Sequence, residues 1–465
     1  MFLLNVKSKI PLYRQLYQQL RSKILNGELS SQTKLPSNRK LCTDLGISRN
    51  TVDIAYQQLL SEGYIFAKPR SGYYVETIHN TLLPTLTESP LPEPPAKPLT
   101  EKIKYNFQYG KLSPQSFPFS QWQRLTNECL RKHKEQLLNY GSFMGELGLR
   151  QEILKYLRDY RDVKCGIDQI LIASGTEHCL SLAGQLLKTS TTTIAIEDPG
   201  FAAAHFAFKS QGFQVCPVPL NHHGLSVKAL RTSMAKAVYV TPSHQFPTGR
   251  IMSITRRLRL VEWAYEQDAF IIEDDYSCHL RYDVKPISAL QGLAPDKVIY
   301  IGSFSKMLLP SLRVAYMVLP KDLAQQLQQT ADNLVCSVPF LIQKPLELFM
   351  REGHFESHLR KMLRHLKKKH DTMIQALQEN FGDMIAISGI NAGLHLVLQI
   401  KWPDYTQALV DKAAKAGIQI HLQGTPWIES DPSPDSNILL GFSAIALEDI
   451  PIAVSLLRKA WLEQG

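Results

Sequence analysis

The sequence predicts a multidomain protein. A small, mostly α-helical N-terminal module is joined by a proline-rich linker to a large α/β domain carrying a smaller α+β subdomain. Three observations predict this. Residues 1–76 hold eleven Lys/Arg and five Asp/Glu, so +6 of the net +10 lies in the first 76 of 465 residues. Six prolines (Pro84, Pro90, Pro92, Pro94, Pro95, Pro98) then fall within fifteen residues. Beyond them, apolar strand-like runs alternate with amphipathic helices, the pattern of a mostly parallel sheet covered by helices.

Composition excludes several classes. At 44% hydrophobic and 20% charged residues the chain is globular rather than disordered. No apolar run approaches the ~20 residues of a membrane helix. The opening MFLLNVKSK is too briefly apolar for a secretory segment. The seven cysteines are scattered and form no C-x-x-C, which argues against a disulfide framework or a Cys-based zinc site. A reducing, cytoplasmic setting is expected, with no membrane partner.

In the N-terminal module, Leu12, Leu16, Leu20 and Ile24 recur at the helical period, and Gly27 stops the run. Pro36 and Ser37 open a second helix, Gly46 turns the chain, and Ser48 caps a third helix that Gly63 ends. The run YIFAKPRSGYYV reads as two short strands about a tip at Pro69–Gly72. Helix, turn, helix and basic hairpin make a winged helix-turn-helix layout. The last helix of such a pair enters the major groove, which puts Ser48, Arg49, Asn50 and Thr51 at base edges or phosphates. Arg39 suits a phosphate contact from the preceding helix. Arg70 beside Gly72 suits the groove or backbone at the hairpin tip. The expected partner is double-stranded DNA.

The same stretch resembles the GntR-type DNA-binding domain. The matching residues are Leu35-Pro36-Ser37-x-Arg39, Leu45-Gly46-Ile47-Ser48-Arg49-x-Thr51-Val52, Glu62-Gly63-Tyr64 and Ser71-Gly72-Tyr73-Tyr74-Val75. The resemblance implies DNA contacts from Ser37, Arg39, Arg49 and the wing.

Four features of the large domain suggest a cofactor carrying an aldehyde and a phosphate. Lys306, in Ser303-Phe304-Ser305-Lys306, follows the strand VIYIG and precedes apolar residues. Desolvation there lowers an amine's pKa and favours the neutral nucleophile. Arg313, seven residues on, can pair with a phosphate in forked geometry. Ser174-Gly175-Thr176 joins a strand to a helix start, where free amides hold anions. Asp274-Asp275-Tyr276 closes the strand AFIIE, and a carboxylate there can keep a pyridinium nitrogen protonated.

The region from Asn139 to about Phe442 resembles the fold-type I aminotransferases. The whole chain resembles the MocR/GabR-type regulators, in which a GntR-type reader is fused to that fold. Motifs beyond those above are Tyr140-Gly141-x-x-x-Gly145, Glu197-Asp198-Pro199-Gly200-Phe201 and Thr241-Pro242-Ser243-His244-Gln245-Phe246-Pro247-Thr248-Gly249. The resemblance implies pyridoxal 5'-phosphate (PLP) as cofactor and Lys306 as its Schiff-base lysine. It gives the phosphate to Arg313, Ser303, Ser305 and the Ser174–Thr176 turn, with Tyr140 reaching the partner subunit's phosphate. It places Asp274 at the pyridine nitrogen, Tyr276 at the ring hydroxyl and Phe201 over the ring. It also implies a head-to-tail homodimer.

Two departures stand out. Aminotransferases carry Asn just before Pro-Thr-Gly; here Phe246 occupies that place, and His244 or Gln245 is expected to substitute. Aminotransferases also place an Arg before the late Gly-Phe strand, to clamp the substrate carboxylate. Here Leu439 stands there, and a buried carboxylate facing Leu would be unpaired. The effector is then an amino compound anchored elsewhere, a larger ligand, or PLP itself, as in the PdxR-like regulators. The expected organisation is a reader at 1–76, a linker at 77–103 and a PLP-binding effector domain at 104–465, with its small subdomain from about 345. The expected function is a PLP-dependent transcriptional regulator; the alternative is an active aminotransferase with an accessory DNA-binding domain. His354 and His358 read as a packed or surface pair and no metal is expected. The run Arg360, Lys361, Arg364, Lys367, Lys368, Lys369 reads as a solvated helix face, and His222-His223 as a turn.

Overall fold

A computed structural model describes residues 2–78, 103–113, 116–282, 287–331, 334–402, 406–422 and 437–462. Residues 79–102 of the expected linker lie outside them. The chain divides into two compact units, Met1–Pro98 and Leu99–Gly465.

The N-terminal unit contains helices α1 (Leu12–Leu25), α2 (Asn38–Leu45) and α3 (Arg49–Ser61), then an antiparallel hairpin of β1 (Ile65–Lys68) and β2 (Gly72–Val75). Local chemistry fixes each boundary. The Ser37 hydroxyl accepts from the Lys40 amide at the start of α2, and Ser48 does the same for Thr51 at the start of α3. Gly46 ends α2 at φ +64°, a left-handed conformation that glycine adopts without a Cβ penalty. Leu16, Leu20, Leu41, Val52, Tyr56, Leu59 and Val75 fill one small core. The Tyr56 hydroxyl donates to Pro36 O (2.9 Å), tying α3 to the approach to α2.

The larger unit is built on an eight-stranded sheet. After a short strand β3 (Tyr105–Asn106), its members are β4 (Ile170–Ala173), β5 (Thr193–Asp198), β6 (Gln214–Asn221), β7 (Gly224–Leu225), β8 (Ala237–Val240), β9 (Phe270–Asp274), β10 (Val298–Ser303) and β11 (Ala315–Val318). Their spatial order is β4-β11-β10-β9-β8-β5-β6-β7. The central strands β6, β5, β8, β9 and β10 run parallel; β11 is antiparallel to both its neighbours and β7 to β6. Beyond α4 (Phe119–Lys132) and α5 (Leu147–Arg161) in the chain, helices cover both faces. α6 (Thr176–Leu187) and α7 (Ala202–Ser210) pack against Ile272, Ile299 and Ile301, while Leu260 and Trp263 of the helix Ile254–Glu266 meet Val238 and Ile271. Burial on both faces is why the strands read as continuous apolar runs.

The last part of this unit differs in texture. The helices Phe340–Arg351 and His354–Phe381 lead to an antiparallel sheet made of Ile385–Ser388, His395–Ile400, Asn437–Gly441 and His421–Leu422. The sequence reads 345–380 as one helical stretch; Gly353, at φ +73°, breaks it in two. Ile418–Gln419 pairs parallel with β3 and so binds the unit's first strand to its last part. Lys369 departs from the expected solvated face. It is buried, and its Nζ donates to Ser443 O (2.9 Å). His222 and His223 form the turn between β6 and β7.

Candidate functional site

The parallel strands β9 and β10 end at the same edge of the sheet, where open α/β sheets bind their ligands. A cavity of about 200 Å³ lies there, lined by Lys306, Arg313, Asp274, Tyr276, Phe201, Thr176, Ser303 and Ser305. Residues more than a hundred positions apart in the chain meet in it.

Lys306 is partly buried, and its Nζ lies 4.3 Å from the centre of the Tyr109 ring. Burial, aided by the charge of Arg313, lowers its pKa to about 8. A sizeable share of the amine is therefore neutral near physiological pH. Ser303, at the end of β10, accepts the Ser305 amide (3.2 Å), which shapes the turn that presents Lys306.

Gly175 precedes α6 at φ +97°, and a Cβ there would lie 2.6 Å from Arg313 Nη2. Glycine is thus required twice, by the backbone and by the guanidinium above it. The first-turn amides of α6 and this guanidinium are placed where they could hold an anion. Glu177 holds Arg313 in place through a 3.2 Å ion pair. Both partners are well exposed, so an anion displaces that pair at little cost.

Asp274 is buried. The Tyr239 hydroxyl donates to its Oδ2 (2.7 Å), and its Oδ1 has no partner. Burial pushes its pKa up to about 7. An unpartnered buried carboxylate oxygen beside a cavity fits a protonated ring nitrogen. The Tyr276 hydroxyl donates to His244 O (3.0 Å). Phe201 meets Phe246 edge to face, with centroids 5.8 Å apart, and forms another wall.

Three residues expected at the cofactor do not line the cavity: His244, Gln245 and Ser174. His244 is buried behind Tyr276, with Nδ1 2.9 Å from its hydroxyl. The Gln245 amide is consumed by its own loop: Nε2 donates to Pro199 O (3.0 Å), and Oε1 accepts from the Thr248 hydroxyl (2.6 Å). The Ser174 hydroxyl lies 3.2 Å from His178 Nδ1. Tyr140 is 91% exposed and does not reach the cavity of its own chain. Leu439, where a carboxylate clamp would stand, is buried opposite Val397 in the antiparallel sheet.

Phe246, at the place of the missing Asn, does line the cavity, and so do Tyr109, Tyr239, Thr241 and Glu177, none of which the sequence assigns to the cofactor. Tyr109 carried no motif, since it arrives from a segment almost 200 residues before Lys306. Glu197 opens the Glu197-Asp198-Pro199-Gly200-Phe201 motif. It is buried, with a pKa pushed up to about 7, and braces the loop by accepting from the Thr241 hydroxyl (2.7 Å).

In the N-terminal unit, Arg39, Arg49, Asn50, Arg70 and Gly72 are all exposed. Arg49 is the first residue of α3, and its Nε lies 3.8 Å from Asp53 one turn on. Arg70 (φ +60°) and Gly72 (φ +106°) shape the hairpin tip. Ser37 and Ser48 serve as helix caps, so their oxygens already accept backbone amides.

His358 is buried and donates from Nε2 to Met307 O (2.7 Å). Among the described residues, no group of three His, Cys, Asp or Glu is placed to hold a metal ion. No described helix is long and apolar enough to cross a membrane.

Two family models match the chain: "Bacterial regulatory proteins, gntR family" over residues 12–75, and "Aminotransferase class I and II" over 105–418. The class I and II aminotransferase fold implies PLP as cofactor. The HTH-type transcriptional regulator YdeL of Bacillus subtilis is 35% identical over 98% of both chains. The HTH-type pyridoxine biosynthesis transcriptional regulator PdxR of Corynebacterium glutamicum is 30% identical over 95% of this chain and 94% of its own. Kynurenine aminotransferase of Pyrococcus horikoshii shares the fold of the larger unit, with a TM-score of 0.70 and 24% identity over 78% of this chain and 91% of that one. With a gntR-type DNA-binding domain and a fold-type I aminotransferase domain on one polypeptide, the chain belongs to the MocR/GabR family of transcriptional regulators.

Proposed function

We propose that the aminotransferase-like unit holds PLP at Lys306 as a sensor that controls DNA binding, and does not turn substrate over. When bound, PLP supplies an electrophilic aldehyde and an electron-accepting ring. Lys306 presents the amine, kept partly neutral by burial. Arg313, Ser303, Ser305 and the Gly175 and Thr176 amides hold the phosphate, and Asp274 pairs with the ring nitrogen through its free Oδ1. Tyr276 faces the ring hydroxyl with His244 behind it, and Phe201 covers the ring.

One observation carries the sensor reading. Lys306 and Arg313 are the only cations among the described lining residues, and both serve the cofactor. None of the described lining residues is then left for a substrate carboxylate, whose burial without a partner would cost several kcal/mol. PLP itself, or an amine lacking a nearby carboxylate, is therefore the expected effector.

The reader is residues 1–76, the linker 77–103 and the sensor 104–465, with the small subdomain from about 345. The active form is a cytoplasmic head-to-tail homodimer, in which Tyr140 reaches the phosphate of the partner's site. Ser37, Arg39, Ser48, Arg49, Asn50, Thr51, Arg70 and Gly72 face the operator. A ligand changes DNA affinity only through unequal contacts in two arrangements of the chain.

A working transaminase is the second reading. A lysine with a pKa near 8 suits a proton-transfer base. Visible absorption separates the two. The purified protein is recorded with and without PLP, then given amino and keto acids. A band that persists, or shifts once and stops, supports the sensor. Repeated bleaching and recovery establishes a transaminase, and no band even with added PLP refutes the Lys306 assignment.

A further inference from the structure

A second cavity, of about 460 Å³, opens on the larger unit and shares no lining residue with the first. Its floor is apolar: Phe117, Phe349 and Met362 line it, and all are buried. Its rim carries one ammonium, Lys361, with His354 two turns before it and His365 one turn after it on the helix His354–Phe381. Burial and the neighbouring Lys369 and Lys368 hold His365 below its ordinary pKa. No carboxylate lines it. Two acids act on the rim: Glu352 lies 3.2 Å from His354 and is also bound by Arg124 at 2.5 Å, and the charge of Glu448 acts on His365. Lys361 is exposed, and an ion pair that follows it on the same helix joins Lys367, not Lys361, to Asp371.

His358 ties the wall to the rest of the fold. The His358 ring sits 6.4 Å from both Phe117 and Phe349, and its Nε2 holds the carbonyl of Met307, the residue after Lys306. An apolar floor beneath the Lys361 ammonium and the imidazole donors of His354 and His365 matches a ligand with a flat hydrophobic body and an anionic end.

We propose that this cavity is a second small-molecule site, which takes a compact aromatic anion such as a phosphate monoester. Lys361 and His365 meet the anionic group while the body rests on Phe117, Phe349 and Met362. A DNA backbone would use the rim but leave the apolar floor empty, so the concave shape favours a small molecule. The site does not depend on the role assigned to Lys306.

Calorimetric titration of the full-length protein with phenyl phosphate tests this, after loading with PLP and removal of the excess. One site per chain is expected, with inorganic phosphate binding far more weakly. Lys361→Glu and His365→Glu should each weaken phenyl phosphate by about tenfold. Both side chains are exposed, so the thermal midpoint should not move. Equal binding of inorganic phosphate would mean an adventitious ion only, and would overturn the proposal. So would unchanged affinity in both variants, the absence of any binding heat at millimolar probe, or weakened operator binding in the variants with phenyl phosphate binding intact. That last outcome would mark the rim as a DNA-facing surface.

Discussion

Asp274 gives one carboxylate oxygen to the Tyr239 hydroxyl at 2.7 Å and leaves the other without a partner. The tyrosine fixes the carboxylate's orientation without neutralising it, so the free oxygen is a preformed acceptor for a cationic ring nitrogen. Asp274→Asn keeps the shape and removes the charge. We expect PLP affinity to fall by about tenfold or more, since the ring nitrogen would lose a buried ionic partner. Titration of visible absorbance checks this.

The same carboxylate sets a pH dependence. Its pKa is raised to about 7 in the folded, PLP-free protein, against roughly 4 in an unfolded chain. The folded state therefore binds the proton more tightly. Its contribution to stability is complete below the unfolded value and is lost as pH rises through about 7. The melting midpoint of the PLP-free protein should decline between pH 5 and pH 7.5 less steeply in Asp274→Asn than in the parent. Glu197 and Glu273, raised in the same direction, remain in both proteins. Identical slopes would refute the buried-charge assignment.

Lys306 predicts a kinetic profile. Only the neutral amine attacks an aldehyde. With a pKa of about 8, its neutral share rises roughly tenfold between pH 7 and pH 9 and then levels off. The rate of PLP capture, followed by stopped-flow absorbance, should do the same. A rate still climbing steeply beyond pH 9 would indicate an ordinary lysine. Lys306→Ala should abolish the band and the response of DNA binding to PLP.

Gly175→Ala tests the anion cradle. The added Cβ meets Arg313 Nη2 at 2.6 Å, and φ is +97°. The backbone strain alone costs about 1–3 kcal/mol. A displaced Arg313 should also weaken inorganic phosphate or PLP binding by about tenfold. Equilibrium dialysis separates that loss from the lower melting midpoint.

Arg49→Ala tests the reader. The side chain is exposed, and its 3.8 Å approach to Asp53 is too loose to matter for folding. Operator affinity should fall by about 1–3 kcal/mol with the melting midpoint unchanged. Fluorescence anisotropy at several salt concentrations also tells a base contact from a phosphate contact. Only loss of a phosphate contact lowers the salt slope, by about one.

The chain by itself determined the architecture. Ser37, Gly46 and Ser48 are local signals for caps and turns, and they act within three or four residues. Apolar runs such as VIYIG report burial on both faces, which is a property of the strand alone. Lys306, Arg313, Gly175 and Asp274 were legible because each sits at a strand end or helix start that its own neighbours specify.

Tertiary structure decided the rest. Tyr109 and Lys306 meet only because separate segments close over one sheet edge. His244 and Gln245 were legible as polar residues in the right loop, but whether they face the cavity depends on competing partners. Tyr276 takes one; Pro199 and Thr248 take the other. Lys369 carries the same charge as its neighbours in the helix, yet it turns inward because Ser443 O lies within reach. A side chain's direction is set by the partners available in space, and sequence spacing records only those on its own element.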